Sequence, residues 1–287
     1  MNIFCEEKTI PFSGVDQSDA LTIASTFDFF QEAAINHAEI LGAGRDLLKQ
    51  SGQGWILSRL SVFINRRPRY GEKILVRTWP RGSQKLFAIR DYDIHYSDDI
   101  PDSDAGPGSS ALVRGRSAWL IVDLEKRRPL RPQLVTEKLP DNEGINALSE
   151  TNPESNDPPP SLTAASVVSG KEPNQSVPRR ASYSDIDYYG HVNNARYIQW
   201  IQDLMEPEIL EKAKQIRLDI NYLSEVRHGD IINLFISPFP DSKTNTADSP
   251  ATAFATEGLR YSNCKDCCDP APVFRAELRA WMSPLST

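Results

Sequence analysis

The chain has little of what marks several large protein classes. It contains only four cysteines in 287 residues, too few for a disulfide scaffold. No apolar segment approaches the ~18 residues of a membrane-spanning helix, and the first residues lack a basic stretch followed by an apolar run. We therefore expect a soluble, cytoplasmic protein with reduced thiols.

Acidic residues also outnumber basic ones, 39 to 32. The net charge is −7 and the sequence pI is about 5.3, which argues against a nucleic-acid-binding protein with a basic face. The glycine-rich signatures of nucleotide-binding loops and the G-x-S-x-G signature of serine hydrolases are absent. Those three classes are set aside.

Three of the cysteines lie close together near the carboxyl end. Cys264, Cys267 and Cys268 have a metal-like spacing, but a structural zinc site usually takes four ligands in two separated pairs. Only Cys5 remains as a further sulfur ligand. We expect a hairpin tip here, and neither a metal nor an organic cofactor.

Composition divides the chain into three parts. Residues 139–178 are rich in proline, serine and asparagine and show no apolar periodicity, which is typical of a linker. The sequence thus predicts two domains, residues 1–138 and 179–287.

The two predicted domains resemble copies of one unit. Leu60–Glu72 and Leu218–Asp230 both alternate apolar and polar residues before a turn that contains glycine and an acid, as half-buried strands do. A helical spacing of apolar residues precedes each run, with Phe27, Phe30 and Ala34 in the first copy. A helix followed by antiparallel strands predicts an α+β unit, in which a sheet wraps around one central helix.

The segment with the most chemistry is Asp187-Tyr-Tyr189-Gly-His191-Val-Asn193-Asn194. It places a carboxylate, an imidazole and two amides just before a predicted helix. A helix start leaves N–H groups unpaired and carries partial positive charge, so it can stabilise negative charge on a substrate oxygen. The pattern indicates an acyl-transfer site.

This segment resembles the D-x-N-x-H-V-N-N motif of the acyl-acyl-carrier-protein thioesterases, with Tyr189 in place of the family's asparagine. The segment Tyr222–Asp230 is similar to the family's Y-x-x-E-C-x-x-x-D, with Glu225 at the acidic position and Val226 at the cysteine position. The likeness extends to the first half, in Gly54–Arg59 and Arg116–Trp119.

The resemblance implies a tandem hot-dog fold. It also implies hydrolysis of fatty acyl-acyl carrier protein, which ends fatty acid synthesis, with acyl carrier protein as the partner. The residues carried over as catalytic are Asp187, His191 and Glu225.

Two mechanisms remain open for these residues. In one, Glu225 is the general base for water, His191 orients the water or protonates the sulfur, and Asp187 holds the imidazole tautomer. In the other, Asp187 attacks the thioester directly. Backbone N–H groups near Asn193 and Asn194 are expected to bind the oxyanion, and one of the two asparagine side chains is expected to cap the helix. Val226 excludes a nucleophilic cysteine at the family position, and the Tyr189 hydroxyl either replaces the family amide or its role has moved.

By the same resemblance, residues 1–138 hold the acyl chain, and the aromatics Phe27, Phe29 and Phe30 either line its tunnel or pack in the core. Two basic clusters offer docking sites for an acidic carrier protein, and a homodimer is possible. The first cluster comprises Arg66, Arg67 and Arg69, and the second comprises Lys126, Arg127, Arg128 and Arg131.

Three other functions remain open. Hydrolysis of acyl-coenzyme A differs only in the carrier. A lyase would form an alkene or an alcohol and release no thiol. A non-catalytic acyl-thioester-binding module is suggested by the tyrosine at position 189.

Overall fold

The computed structural model describes residues 3–99, 111–137, 139–140, 142, 145–148, 157–163, 176–238, 251–261 and 270–282. The chain divides into two compact units, Met1–Pro159 and Pro160–Thr287. Within the described ranges, no helix combines the length and apolar character that crossing a membrane requires.

In the described residues of the first unit there are three α-helices and six strands. The helices are α1 (Ile23–Ile40), α2 (Arg45–Gln50) and α3 (Gln133–Thr136). The strands are β1 (Phe4–Thr9), β2 (Gln53–Ile64), β3 (Lys73–Gln84), β4 (Phe87–Tyr96), β5 (Val113–Asp123) and β6 (Arg128–Pro129). They form an antiparallel sheet in the order β1-β3-β4-β5-β2, and β6 pairs with β5.

Helix α1 packs on one face of this sheet. It begins after Thr22, whose hydroxyl accepts a hydrogen bond from the Ser25 N–H at 3.0 Å, a common helix cap. Phe30 stacks on Tyr92 of β4 with ring centroids 4.6 Å apart. A Cβ at Gly115 of β5 would lie 2.6 Å from the Phe30 ring, so only glycine allows this close approach.

The opposite face of the sheet carries buried ion pairs. Asp93 accepts two hydrogen bonds from Arg77, at 2.8 and 2.6 Å, and Asp91 accepts two from Arg116, at 2.7 and 2.8 Å. Both carboxylates are fully buried. Paired guanidinium forks of this kind compensate charges that would be costly to bury alone.

Described pieces of the predicted linker pack against these two units. In the first unit, the Trp79 indole donates to the Ile145 carbonyl at 3.0 Å, and the Ala147 N–H donates to Asp91 at 2.9 Å. In the second unit, the Asn221 side chain accepts from the Leu162 N–H at 2.8 Å. The connection therefore covers sheet surface in both units.

The described part of the second unit has two α-helices and five strands. The helices are α4 (Asn194–Asp203) and α5 (Pro207–Lys212). The strands are β7 (Val177–Arg180), β8 (Ala213–Tyr222), β9 (Ile231–Pro238), β10 (Ala251–Arg260) and β11 (Ala271–Met282). Their antiparallel order is β8-β11-β10-β9-β7, and β7 includes the last two residues of the predicted linker.

Helix α4 buries its apolar side against the second sheet. The Tyr197 ring meets Tyr222 and Phe274 edge to face, with centroids 5.5 and 5.6 Å apart. This packing fixes the first turn of α4, which follows directly after the loop that contains Asp187.

Candidate active site

A tight loop, residues 186–193, leads into helix α4. The Asp187 carboxylate accepts hydrogen bonds from the backbone N–H groups of Tyr189 at 2.8 Å and His191 at 3.3 Å. The Asp187 N–H in turn donates to the His191 carbonyl at 2.8 Å. Gly190 adopts φ +80°, which favours glycine. The loop thus holds the backbone of His191 in a defined position.

Backbone pairing brings His191 to Glu225. His191 forms an antiparallel bridge with Arg227, and the Val192 N–H donates to the Val226 carbonyl at 2.8 Å. As a result, His191 Nε2 lies 3.2 Å from Glu225 Oε2. The two side chains are 27% and 50% exposed, so a substrate can reach them from solvent.

Two arginines surround Glu225 on its own segment and on β10. Arg227 Nη2 lies 4.0 Å from Glu225 Oε2. Arg260 donates to the Glu225 carbonyl at 3.0 Å and to the Asp230 carboxylate at 3.2 Å. Sequence reasoning missed both arginines, because neither lies in the recognised motif positions.

The first turn of α4 supplies one open N–H group. The Asn193 side chain caps the helix by accepting from the Ala195 N–H at 2.8 Å, which confirms the predicted asparagine cap. The Asn193 N–H donates to the Asp185 carbonyl at 2.8 Å, and the binding of an oxyanion by backbone N–H groups near Asn193 and Asn194 stays a prediction. Within the described residues, the Asn194 N–H has no hydrogen-bond acceptor, as is usual at a helix start.

Two tyrosines differ sharply in exposure around the loop. Tyr189 is 56% exposed, and its ring meets Tyr188 edge to face. Tyr197 is buried, and burial raises the pKa of its hydroxyl well above the ordinary value, although a hydrogen bond with the Val226 backbone and the charge of Arg260 act against it.

The contacts of Asp187 differ from its predicted ones. Its described hydrogen bonds go to the backbone of its own loop, and the described partner of the His191 ring is Glu225. The carboxylate therefore acts on the imidazole through the backbone rather than by direct contact.

The first unit repeats the loop with different side chains. Asp16 accepts from the backbone N–H of Ser18 at 2.9 Å, as Asp187 does from Tyr189. Ala20, which forms the matching bridge to Arg69, stands in the place of His191. The unit therefore has the framework of the site without its imidazole.

Arg67 stands in the place of Glu225 in this first copy. Its guanidinium forms an ion pair with Asp16 and its side chain is only 8% exposed. The prediction that it docks a carrier protein is therefore wrong, because a carboxylate of its own unit binds it. Arg66 and Arg69 are exposed at the surface.

The structure also places the remaining candidates. His37 and His95 are buried, as expected for structural histidines, and Phe27 and Phe30 are core residues. Cys264, Cys267 and Cys268 lie outside the described residues. Among the residues that are described, no group of three or more potential metal-binding side chains occurs.

Each unit, with its antiparallel sheet and its helix, is a hot-dog domain, and the chain is a double hot-dog protein. Solved structures with this fold include an acyl-ACP thioesterase from Bacteroides thetaiotaomicron. The two chains are 24% identical, the TM-score is 0.70, and the match covers 98% of each chain. A 12:0-ACP thioesterase from Umbellularia californica is 16% identical, with a TM-score of 0.69 and coverage of 98% of this chain and 94% of that chain.

Two family models match most of the chain. The acyl-ACP thioesterase N-terminal domain matches residues 1–138, and the C-terminal domain matches residues 170–258. The chain therefore belongs to the acyl-ACP thioesterase family.

Curated relatives come from plants. A chloroplastic palmitoyl-acyl carrier protein thioesterase from Cuphea hookeriana is 28% identical over 230 residues, which are 74% of this chain and 49% of the relative. A chloroplastic oleoyl-acyl carrier protein thioesterase from Coriandrum sativum is 25% identical over 78% of this chain and 59% of the relative. The chain spans about half the length of the curated relatives it matches.

Proposed function

We propose that this protein hydrolyses the thioester of fatty acyl-acyl carrier protein and releases a free fatty acid, ending fatty acid synthesis. The observation that carries the proposal is the contact of His191 Nε2 with Glu225 Oε2 at 3.2 Å. The pair is accessible to solvent, with His191 on the loop that enters α4 and Glu225 on the segment that follows β8. An acid and an imidazole in contact are the groups that activation of water requires.

In this mechanism, Glu225 removes a proton from a water molecule, and the water oxygen bonds to the thioester carbon. The carbonyl electrons move onto oxygen, and this oxyanion is stabilised by the open Asn194 N–H at the positive end of α4. The oxyanion then collapses and the carbon–sulfur bond breaks. The proton that Glu225 took from water passes to His191 across their 3.2 Å contact and from His191 to the leaving thiolate, so both side chains return to their starting states. The products are a carboxylic acid and the free carrier thiol.

Asp187 is assigned to positioning. Both of its described side-chain hydrogen bonds hold the loop backbone, which favours the general-base mechanism over direct attack by this carboxylate. Tyr189 is exposed, and its hydroxyl does not reproduce the short amide that the family has at this position. A non-catalytic acyl-thioester-binding module is therefore the second candidate function.

The acyl chain is assigned to the first unit, and carrier docking is assigned to Arg66 and Arg69. Acyl carrier proteins are acidic, and an exposed local basic patch can attract one despite a net charge of −7. Neither a cofactor nor a metal is required by this chemistry. Cytoplasmic localisation and a homodimer remain predictions, and the plant relatives are named as chloroplastic proteins.

The test is release of free thiol, with mass identification of the acid, from acyl-carrier-protein thioesters of graded chain length. Wild-type protein should release both, and His191→Ala and Glu225→Ala should lower kcat by at least ~10²-fold. Glu208→Gln, an exposed glutamate on α5, is the control. Saturable binding without thiol release would favour the binding module, and alkene or alcohol products would favour a lyase.

The carrier is tested separately. One acyl group is offered on acyl carrier protein and on coenzyme A, to wild type and to the double variant Arg66→Glu, Arg69→Glu. The double variant should lower kcat/KM for the protein carrier only, whereas Arg45→Glu on α2 should change neither value. Equal or better turnover of the coenzyme A thioester by wild type would assign the protein to acyl-coenzyme A hydrolysis.

A further inference from the structure

A buried arginine that has no carboxylate partner among the described residues lies between α1 and the first sheet. Arg90 of β4 is 9% exposed. Its Nη1 lies 3.1 Å from His37 Nδ1 of α1 and 3.2 Å from Thr78 Oγ1 of β3. Neither contact is with a carboxylate, and burial lowers the pKa of the guanidinium. A buried cation of this kind is costly unless an acceptor compensates it.

The neighbouring arginines show what is missing. Arg77 and Arg116 each use Nε and Nη2 as a fork on a carboxylate, Asp93 and Asp91 respectively. The same fork of Arg90 has no acceptor among the described residues. A guanidinium has five N–H donors, so three remain for a ligand.

Strand geometry explains why the nearby carboxylates do not serve. Successive side chains of a strand point to opposite faces. Asp91 and Asp93 lie on the outer face, where other arginines bind them, and Arg90 lies on the inner face against α1. On the inner side of β1 and α1, Lys8 forms ion pairs with Glu6, at 2.7 Å, and with Glu32, at 3.2 Å.

The partial negative charge at the carboxyl end of α1 offers some compensation, because His37 lies in the last turn of that helix. This partial charge does not supply a hydrogen-bond acceptor for Nε and Nη2 of Arg90. The buried residues of α1 before His37 are apolar except for Thr26, and they include the fully buried Phe27 and Phe30. The fork is therefore a polar point at one end of an apolar helix face.

We propose that Arg90, with His37 and Thr78, binds an oxygen on the acyl chain of the substrate, so that the preferred acyl group is oxygenated rather than fully saturated. A carboxylate matches the fork best, and a hydroxyl or oxo group supplies the same acceptor chemistry. This inference rests on the proposed function, in which the acyl chain occupies the first unit.

The experiment compares acyl thioesters of one chain length on one carrier: saturated, hydroxylated at successive carbons, oxo-substituted, and carboxylated at the far end. Wild type should show at least a ~10-fold higher kcat/KM for one oxygenated chain than for the saturated one. Arg90→Met, which keeps the length and removes the donors, should abolish that preference. Arg45→Met, the same substitution on the surface of the same unit, should leave it unchanged.

A wild-type preference for the saturated chain, or a preference that survives Arg90→Met, overturns the inference and leaves the hydrolase intact. If Arg90→Met does not fold, Arg90→Lys keeps the charge and loses the fork, and the wild-type ratio still decides. If no thioester is cleaved, the proposed function fails, and calorimetry with the matched free acids takes over. Tighter binding of an oxygenated acid that is lost in the variant then supports the oxygen site, and equal binding rejects it.

Discussion

Substitution of Glu225 by glutamine should separate activity from stability. The carboxylate and its partner His191 are 50% and 27% exposed, and a contact this open contributes only about 0–1 kcal/mol to folding. Glutamine has nearly the same shape and its amide oxygen still accepts a hydrogen bond. The free energy of unfolding should therefore fall by less than about 1 kcal/mol, or roughly 2–4 °C in Tm for a protein of this size.

The cost to catalysis should be much larger. General-base catalysis contributes about 10²- to 10⁴-fold, which corresponds to roughly 3–5 kcal/mol of activation free energy. Glu225→Gln should therefore lower kcat for thiol release by at least ~10²-fold while the protein keeps its cooperative unfolding transition.

Two measurements on one preparation check this prediction, namely kcat with an acyl-carrier-protein thioester and urea unfolding followed by circular dichroism. Turnover within a few-fold of wild type would refute the role of Glu225 as base. A loss of stability comparable to the loss of activity would refute the reasoning from exposure.

Three further substitutions test the framework. Asp93→Asn leaves the buried guanidinium of Arg77 uncompensated and should lower the free energy of unfolding by about 3–5 kcal/mol, measured by urea titration; a loss below about 1 kcal/mol would contradict this. Asn193→Ala removes the cap of α4 and should cost about 1 kcal/mol, with Asn193→Asp as the retained-cap control in the same thermal scan. Burial raises the pKa of Asp16, but hydrogen bonds from a neighbouring serine and Arg67 outweigh it and leave the pKa lowered. The stabilisation by ionised Asp16 is therefore present above the unfolded-state pKa of ~3.9 and is lost as the pH falls through the pKa of the folded protein. Asp16→Asn should flatten the acid side of a plot of unfolding free energy against pH. An unchanged slope would contradict this.

Much of the secondary structure follows from residue spacing. The alternation that begins at Leu60 and at Leu218 predicted strands that overlap the last residues of β2 and β8, and the helical spacing of Phe27, Phe30 and Ala34 predicted α1. Strands β1 and β7 were not predicted, because each is short and pairs at the side of a sheet, where the apolar pattern is weak.

Charged side chains were harder to place. Arg66, Arg67 and Arg69 form one basic run in the sequence, yet Arg67 turns inward to Asp16. Nothing in the sequence around Arg90 indicates that this arginine is buried, or that no described carboxylate pairs with it. Such outcomes depend on which face of a strand a residue occupies and on what lies opposite, and a basic run specifies neither.

The sequence by itself determined the loop before α4, its aspartate, histidine and asparagine cap, and the repetition of one helix-and-sheet unit, because these depend on residues close together in the chain. Only the tertiary structure decided that Glu225 meets His191. The bridge between His191 and Arg227 joins two distant segments. Long-range backbone pairing of this kind, together with the burial it produces, sets which acid meets which base.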